Sequence, residues 1–377
     1  MKQTSLLFLM TISLVQVALR LIPISREAIP GISGIWAANM VAQELSAWFV
    51  LLNVIGLIWC LRGWRAMSVI FGAAVLFSLY PFFLVAGLNH DMVRQWTEMG
   101  MTSVRVTAPS AGAVFLQSFS LVDSTAHGQI QSFANPMVYY APTTTSAEAT
   151  PIIIDIHGGS WQHGSPEEDE ALSRHLAAQG YAVFAIDYRR APLHPFPAQI
   201  DDVRRAISWI KSNAGLFHAD ALRIALVGHS AGAHLAMLAA YMQPDPAIRG
   251  VVSYYGPADL YALYQHPPSP DPLNVPAKLE ALIGSPFASS SQAFEDASPI
   301  HYVRPGLPAT LHIQGTRDHI VPAWLTRTMH LQLRKAGNRS LLLELPWSEH
   351  NFDMVWFGPG NRLARAYMDA FLAETLR

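Results

Sequence analysis

Arg223-Ile-Ala-Leu-Val-Gly-His-Ser-Ala-Gly-Ala-His-Leu-Ala-Met-Leu-Ala-Ala240 decides how the rest of the chain is read. Residues 224–227 form a short apolar run of the kind a buried parallel strand needs, and residues 234–240 are small, strong helix formers. Ser230 therefore falls at a sharp turn from strand to helix, where the chain on either side must approach itself closely. Gly228 and Gly232 supply the missing bulk. Such a turn lifts a hydroxyl above the sheet, beside the positive end of a helix, where an acyl carbonyl can reach it.

The same five-residue pattern recurs by accident in loops, so the surrounding chain has to agree with it. Residues 151–160 read Pro-Ile-Ile-Ile-Asp-Ile-His-Gly-Gly-Ser, a buried strand running into a Gly-rich turn that bares backbone N–H groups, as an oxyanion hole requires. Asp318 follows the strand-like segment 309–314 through Gly315, and His350 follows the strand-like segment 341–345. A hydroxyl nucleophile needs an imidazole to take its proton and a carboxylate to hold the imidazole's tautomer, and Ser230, Asp318 and His350 come in a chain order known for that trio. Asp296 and Asp353 compete with Asp318, which is preferred for its Gly-x-x-Asp-x-x-Val-Pro context. His350 stands out among 15 histidines by its loop before the terminal helix. His229 is expected to be elbow packing, and His157 to brace the Gly-rich turn. The oxyanion donors are expected to be the backbone N–H groups of Gly159, Ser160 and Ala231, with Trp161 and Tyr255 at the substrate.

On these motifs, together with Asp187-Tyr188-Arg189-Arg190-Ala191-Pro192 and Phe196-Pro197-Ala198-Gln199, the sequence resembles the esterase branch of the α/β-hydrolase superfamily, around hormone-sensitive-lipase-like and arylformamidase-like carboxylesterases. Ser160 stands where lipase-like members usually carry a third glycine, and His229 where they carry aspartate, which draws the chain toward the arylformamidase and isoprenylcysteine-methylesterase relatives. The resemblance implies an α/β-hydrolase fold, a mostly parallel sheet with helices on both faces, in residues 135–377. It also implies a serine hydrolase that cleaves carboxylic esters, of small molecules or lipids, through an acyl-enzyme. The same triad would serve amide hydrolysis or acyl transfer, and a catalytically silent hydrolase fold acting as a membrane-tethered binding module is the reading from another class.

Charged residues make up 14% of the 377, against about a quarter in an average chain. The net charge of −2 offers nothing to track phosphates, so nucleic acid is excluded as a partner. One cysteine, Cys60, rules out an intramolecular disulfide and a Cys-based metal site. Without a His-Glu-x-x-His, P-loop or Gly-x-Gly-x-x-Gly pattern, no metal and no cofactor is expected. Oligomeric state is left open.

The apolar excess lies before residue 90. Residues 46–61 are apolar but for Asn53 and Gly56, and residues 66–88 carry no charge. A bilayer core needs about 20 residues of helix. Residues 1–90 are therefore expected to be a transmembrane region of two to three helices, about 5–22, 45–61 and 66–88, in contact with membrane lipid. The turn carrying Arg62 and Arg65 is expected in the cytoplasm, making the chain multi-pass with its catalytic domain extracytoplasmic. Residues 91–134 read as a connector with edge strands at 103–107 and 114–121. Residues 256–299 break the strand–helix rhythm and read as a cap-like insertion, with Tyr254, Tyr255, Leu260, Tyr261 and Phe287 as an apolar lining suited to uncharged acyl groups.

Overall fold

The computed structural model describes residues 3–21, 32–60, 65–101, 104, 106, 108–119, 137–144 and 147–377. It opens with five helices: α1 (Gln3–Leu21), α2 (Ile32–Glu44), α3 (Ser46–Cys60), α4 (Arg65–Glu98) and α5 (Ala111–Gln117). Helices α1, α3 and α4 pack together around buried polar groups. Ser13 Oγ donates to Asn53 Oδ1 at 2.5 Å, and Gln16 Nε2 donates to Ser78 Oγ at 3.0 Å. Gly56 lets Phe71 lie directly against α3, since a Cβ there would collide with its ring. Large apolar side chains point outward instead, among them Phe8, Val69, Leu76 and Phe83.

Three expectations for this half need correction. Among the described residues one helix, residues 67–98, is by itself long and apolar enough to cross a membrane. The consecutive α2 and α3 would make a second span only if counted as one piece, and they are bent by 75°. With 15 residues, α3 spans about 22 Å at about 1.5 Å per residue, short of a ~30 Å hydrocarbon core. The third apolar run does not stop at residue 88; α4 continues to Glu98. Its last turns belong to the following domain: Phe82, Val85, Met92 and Trp96 are buried in one cluster with Val252, Leu343 and Phe371. Gln95 also hydrogen-bonds both the N–H (2.8 Å) and the C=O (3.0 Å) of Leu342. The turn at 61–64 lies outside the described residues, as does most of the strand expected at 103–107. Where a strand was expected at 114–121 the chain forms α5, started by Ser110, whose hydroxyl accepts from the Ala113 N–H at 3.1 Å.

The remainder is strand–helix alternation: β1 (Met137–Tyr140), β2 (Thr150–Ile156), α6 (Glu170–Ala178), β3 (Ala182–Ile186), α7 (Ala198–Asn213), β4 (Ala219–His229), α8 (Ala231–Met242) and β5 (Ile248–Tyr254), then α9 (Leu260–Gln265), α10 (Val275–Ile283) and α11 (Phe287–Asp296), then β6 (Ala309–Gly315), α12 (Ala323–Lys335), β7 (Ser340–Leu345) and α13 (Pro359–Thr375). The sheet order is β1-β3-β2-β4-β5-β6-β7, with β1 alone antiparallel. Alternate residues of β2 feed two cores. Ile152, Ile154 and Ile156 join α7 and α8 on one face, and Ile153 joins α6 and α13 on the other. This is the mostly parallel, doubly covered sheet expected. Helices enter the chain on opposite sides of β2, so β3 and β4 flank it, and the carboxyl ends of β2 and β4 form the crevice where such sheets hold ligands. The insertion at 256–299 is helical, not irregular. Its aromatics pack on one another, Tyr264 stacking on Phe287 with centroids 4.2 Å apart and Tyr261 against the same ring.

Candidate active site

Ser230 sits between β4 and α8 with φ 51° and ψ −114°, a conformation that side-chain-bearing residues rarely adopt. The turn is possible because Gly228 and Gly232 face each other. A Cβ on Gly228 would fall 2.5 Å from the Gly232 carbonyl carbon, and one on Gly232 would collide with the Ile156 carbonyl oxygen. The Ser230 N–H is held by the Tyr254 carbonyl at 2.9 Å. So fixed, its Oγ lies 2.9 Å from Nε2 of His350, whose Nδ1 lies 2.7 Å from Oδ2 of Asp318. His350 and Asp318 are buried. Asp318 is locked as an acceptor: its Oδ1 takes the N–H groups of Ile320 and Val321, each at 2.8 Å, and its Oδ2 also takes Gln314 Nε2 at 3.0 Å. With a carboxylate that only accepts on one side, the imidazole carries its proton on Nδ1 and offers the Nε2 lone pair to the serine.

The Gly-rich turn after β2 lies against this serine. A Cβ on Gly158 would be 3.6 Å from Ser230 Cβ, and Gly159 (φ 106°) and Ser160 (φ 53°) turn the backbone there. Among the described residues the N–H groups of Gly159, Ser160 and Ala231 donate to no other protein group, and Ala231 opens α8, where such groups are unclaimed. His157 braces the turn as expected. Its Nε2 meets Asp187 Oδ1 at 3.0 Å, its ring stacks on Tyr188, and the Tyr188 hydroxyl donates to the carbonyls of His157 and Gly158.

Of the two residues expected at the substrate, neither presents a free polar group. Trp161 is buried outside the cavity, its Nε1 donating to His234 Nδ1 at 3.1 Å, while His234 donates its one N–H, on Nε2, to the Ala297 carbonyl. Tyr255 does line the cavity, but its hydroxyl is given to Asp353 at 2.5 Å and its ring lies 4.3 Å from that of His350. The aromatics of the insertion do not line it either; Leu273 and Lys278 do.

His229 is not simple packing. Its Nδ1 lies 3.1 Å from Asp169 Oδ2 and 4.0 Å from Asp155 Oδ1, and its Nε2 lies 3.4 Å from Asp353 Oδ2. Burial alone would push this imidazole down, but the carboxylates of Asp169, Asp353 and Asp155 override it and raise it to about 10. Burial, with Asp169 beside it, pushes the Asp155 carboxyl up. Asp155, Asp169 and His229 offer one donor atom each within 4.8 Å of one another, a spacing that could take a cation. A protonated His229, favoured by these carboxylates, would itself supply the positive charge such a cluster needs.

The cavity in front of Ser230 measures about 480 Å³. Glu168, Asp169 and Asp353 line it, together with Lys278 and His229. Trp36, from α2, is also in its wall. Neither Trp36 nor the buried Glu349 was legible as a site residue: Trp36 lies in a stretch with no motif, and Glu349 was overshadowed by its neighbour His350. A carboxylate beside a candidate base was the one signal available.

The family model BD-FAE matches residues 137–333, a span that holds Ser230, Asp318 and the Gly-rich turn and ends before His350. The probable carboxylic ester hydrolase LipM of Mycobacterium tuberculosis is 29% identical over 250 residues, covering 63% of this chain and 57% of LipM. Esterase LipC of the same organism is 34% identical over 220 residues, 54% of each chain. The chain thus spans somewhat over half the length of these curated relatives. Among solved structures, the propionate-bound thermophilic esterase Est2 of Thermogutta terrifontis aligns with a TM-score of 0.53 at 22% identity, covering 67% of this chain and 94% of that one, a likeness of fold.

Proposed function

The chain belongs to the BD-FAE family, and on that premise we propose that it is a carboxylesterase-type serine hydrolase working through an acyl-enzyme, with Ser230, His350 and Asp318 as its triad. The observation that carries the reading is the hydrogen-bonded line from Ser230 Oγ through His350 to Asp318, beside three unclaimed backbone N–H groups. Ser230 Oγ attacks the ester carbonyl while His350 Nε2 takes its proton. The carbonyl oxygen, now an anion, is received by the N–H groups of Gly159, Ser160 and Ala231. Collapse breaks the C–O bond to the alcohol, which leaves with the proton from His350. A water molecule, deprotonated by the same imidazole, then attacks the acyl-enzyme and releases the acid. Asp318 keeps the imidazole oriented throughout. The cavity wall sets Glu168, Asp169 and Asp353 against Lys278 and His229, leaving no unopposed cation to hold an acid, so uncharged esters are the substrate class.

Fluorophosphonate labelling with a p-nitrophenyl ester assay tests this. Parent protein labels and turns over; a Ser230→Ala variant that still does either removes the nucleophile assignment.

The same reading anchors the enzyme in a membrane through α4, with α1 and α3 inserted beside it. Its support is the outward apolar surface of these helices and the polar groups turned inward. With the turn bearing Arg62 and Arg65 in the cytoplasm, the hydrolase half lies outside. A protein with Cys60→Ala and Thr144→Cys should react with a membrane-impermeant maleimide in intact cells. Protection until lysis reverses the orientation.

A further inference from the structure

Helix α2 lies far upstream of the residues matched by the family, yet it reaches the centre of the site. Trp36 is buried in the same core cluster as Ile156 and Ile320, and its ring forms part of the wall of the cavity in front of Ser230. Its Nε1 donates to Glu349 Oε2 at 2.9 Å. That same oxygen accepts the backbone N–H of His319 at 3.1 Å and of His350 at 3.2 Å, and the other oxygen of Glu349 meets the His319 ring. One buried carboxylate therefore ties together the residue after Asp318, the backbone of His350 and a helix from the N-terminal region. Two turns along α2, Glu44 takes the hydroxyl of Ser348 at 2.7 Å and the N–H of Gly360 at 2.9 Å. Gly358 and Gly360 leave room for that carboxylate, where a Cβ would meet it at 2.5 and 2.8 Å. Helix α2 thus holds Ser348 and Glu349 just before the histidine and Gly360 in the first turn of α13 after it.

We infer that α2 completes the active site: the Trp36 ring is a substrate-contacting wall of the cavity, and its indole N–H, through Glu349, is a positioning device for His350 and Asp318. The inference rests on the triad reading above and adds to it a specificity residue and a positioning chain outside the matched domain. The physical argument is one of tolerance. A base must stay within a few tenths of an ångström of its serine, and a displacement of about 1 Å can cost on the order of 100-fold in rate. Asp318 and His350 stand on two separate loops after β6 and β7. Glu349 bonds both loops, through the N–H groups of His319 and His350, and Trp36 supplies the third N–H to its Oε2. Removing that donor leaves a buried carboxylate short of one partner and free to shift with the loops it holds.

The experiment uses the full chain in detergent and measures turnover per fluorophosphonate-titrated site on p-nitrophenyl esters from acetate to decanoate. Trp36→Phe keeps a ring in the wall but removes the donor. It should lower kcat on the order of tenfold, leave KM within about twofold, and keep the parent's preferred acyl length. Trp36→Ala opens the wall as well, and should also move the preferred acyl length to longer chains, because freed apolar volume rewards added methylenes. A merely structural tryptophan would reduce the number of titratable sites while leaving kcat per site and the acyl profile as in the parent, and that result overturns the inference. If Trp36→Ala does not fold, Trp36→Phe decides it alone. Loss of hydrolysis in Ser230→Ala alongside parent-like Trp36 variants removes the role of α2 only. Survival of hydrolysis in Ser230→Ala removes the triad reading beneath it.

Discussion

In the hydrolase half, the side chains hidden from solvent are Ile152, Ile154, Leu226 and Val251, and the exposed apolar residues, such as Leu193 and Leu216, are scattered singly. In the N-terminal bundle polar side chains join Phe71 and Ala74 inside, and large apolar ones face outward. Asn53 and Ser78 are fully buried and bonded to each other's helices, while Val69 is 72% exposed and Phe83 65% exposed. A water-facing bundle would place these the other way, since exposing apolar surface to water costs about 25 cal/mol per Å². A lipid-facing one has no such cost, and uses polar contacts between helices as its glue. On the proposed membrane placement the two halves would obey one rule, that each group seeks a matching surrounding, in two different solvents. Helix α4 joins the two halves along its own length, Val69 facing out near one end and Trp96 buried near the other.

The comparison can be broken most forcefully through the chemistry, which it assigns wholly to the hydrolase half. Ser230→Ala should reduce ester turnover by at least about a thousandfold with no change in membrane fractionation; His350→Ala should be nearly as severe and Asp318→Asn somewhat milder. An active Ser230→Ala protein would end that assignment. Next in size is a pair of charge insertions. Phe83→Asp on the outward face of α4 should disfavour insertion by about 2.5–3.5 kcal/mol and shift protein out of the carbonate-resistant membrane fraction. Leu193→Asp, at a site 82% exposed in the hydrolase half, should leave both fractionation and Tm unchanged. Equal responses would mean that both surfaces meet the same solvent.

A third prediction concerns pH. The folded His229 holds its proton to about 10, above its ordinary value near 6.5. A raised folded pKa gives stability that is complete below the unfolded value and is lost as pH climbs through the folded one. The parent's Tm should therefore fall between pH 7 and pH 10, and His229→Asn should flatten that fall. A parent Tm that holds level over the same window contradicts the imidazolium. The smallest effect belongs to the bundle: Asn53→Leu should destabilise helix association by on the order of 1 kcal/mol, read as lower resistance to detergent-induced unfolding. Stabilisation instead would show that the polar groups are tolerated, not used.

What could be read from the sequence was local. The Gly-x-Ser-x-Gly turn, the His-Gly-Gly-Ser turn and the apolar runs of β2, β4 to β7 announce themselves within a few residues, because strain, missing bulk and burial leave short-range signatures. Ser230, Asp318 and His350 were each legible this way, and the structure brings them within hydrogen-bond distance. The groups that were missed are defined by fold closure. Asp155, Asp169, His229 and Asp353 come from four separate segments, and nothing in any one segment marks it as part of a charged cluster. Trp36 meets Glu349 across 313 positions of chain. Helix α2 escaped notice because its apolar residues are interleaved with Gly34, Asn39, Gln43 and Glu44, which blur its periodicity. Strand β1 did so because four residues are too few to show one. The reading of 114–121 as a strand failed where the Ser110 cap outweighed the β-propensity of Val114 and Phe115.

Gln95 spans the backbone of Leu342 with both ends of its amide, and β7 is the last strand at its side of the sheet. An open strand edge is a template for any other extended chain. In order of synthesis, α4 is made long before β7, so the sheet's final strand arrives at a helix that already carries its closing amide. At Leu342 that edge is already occupied by a residue on α4, so the helix would guard the strand against wrong pairing.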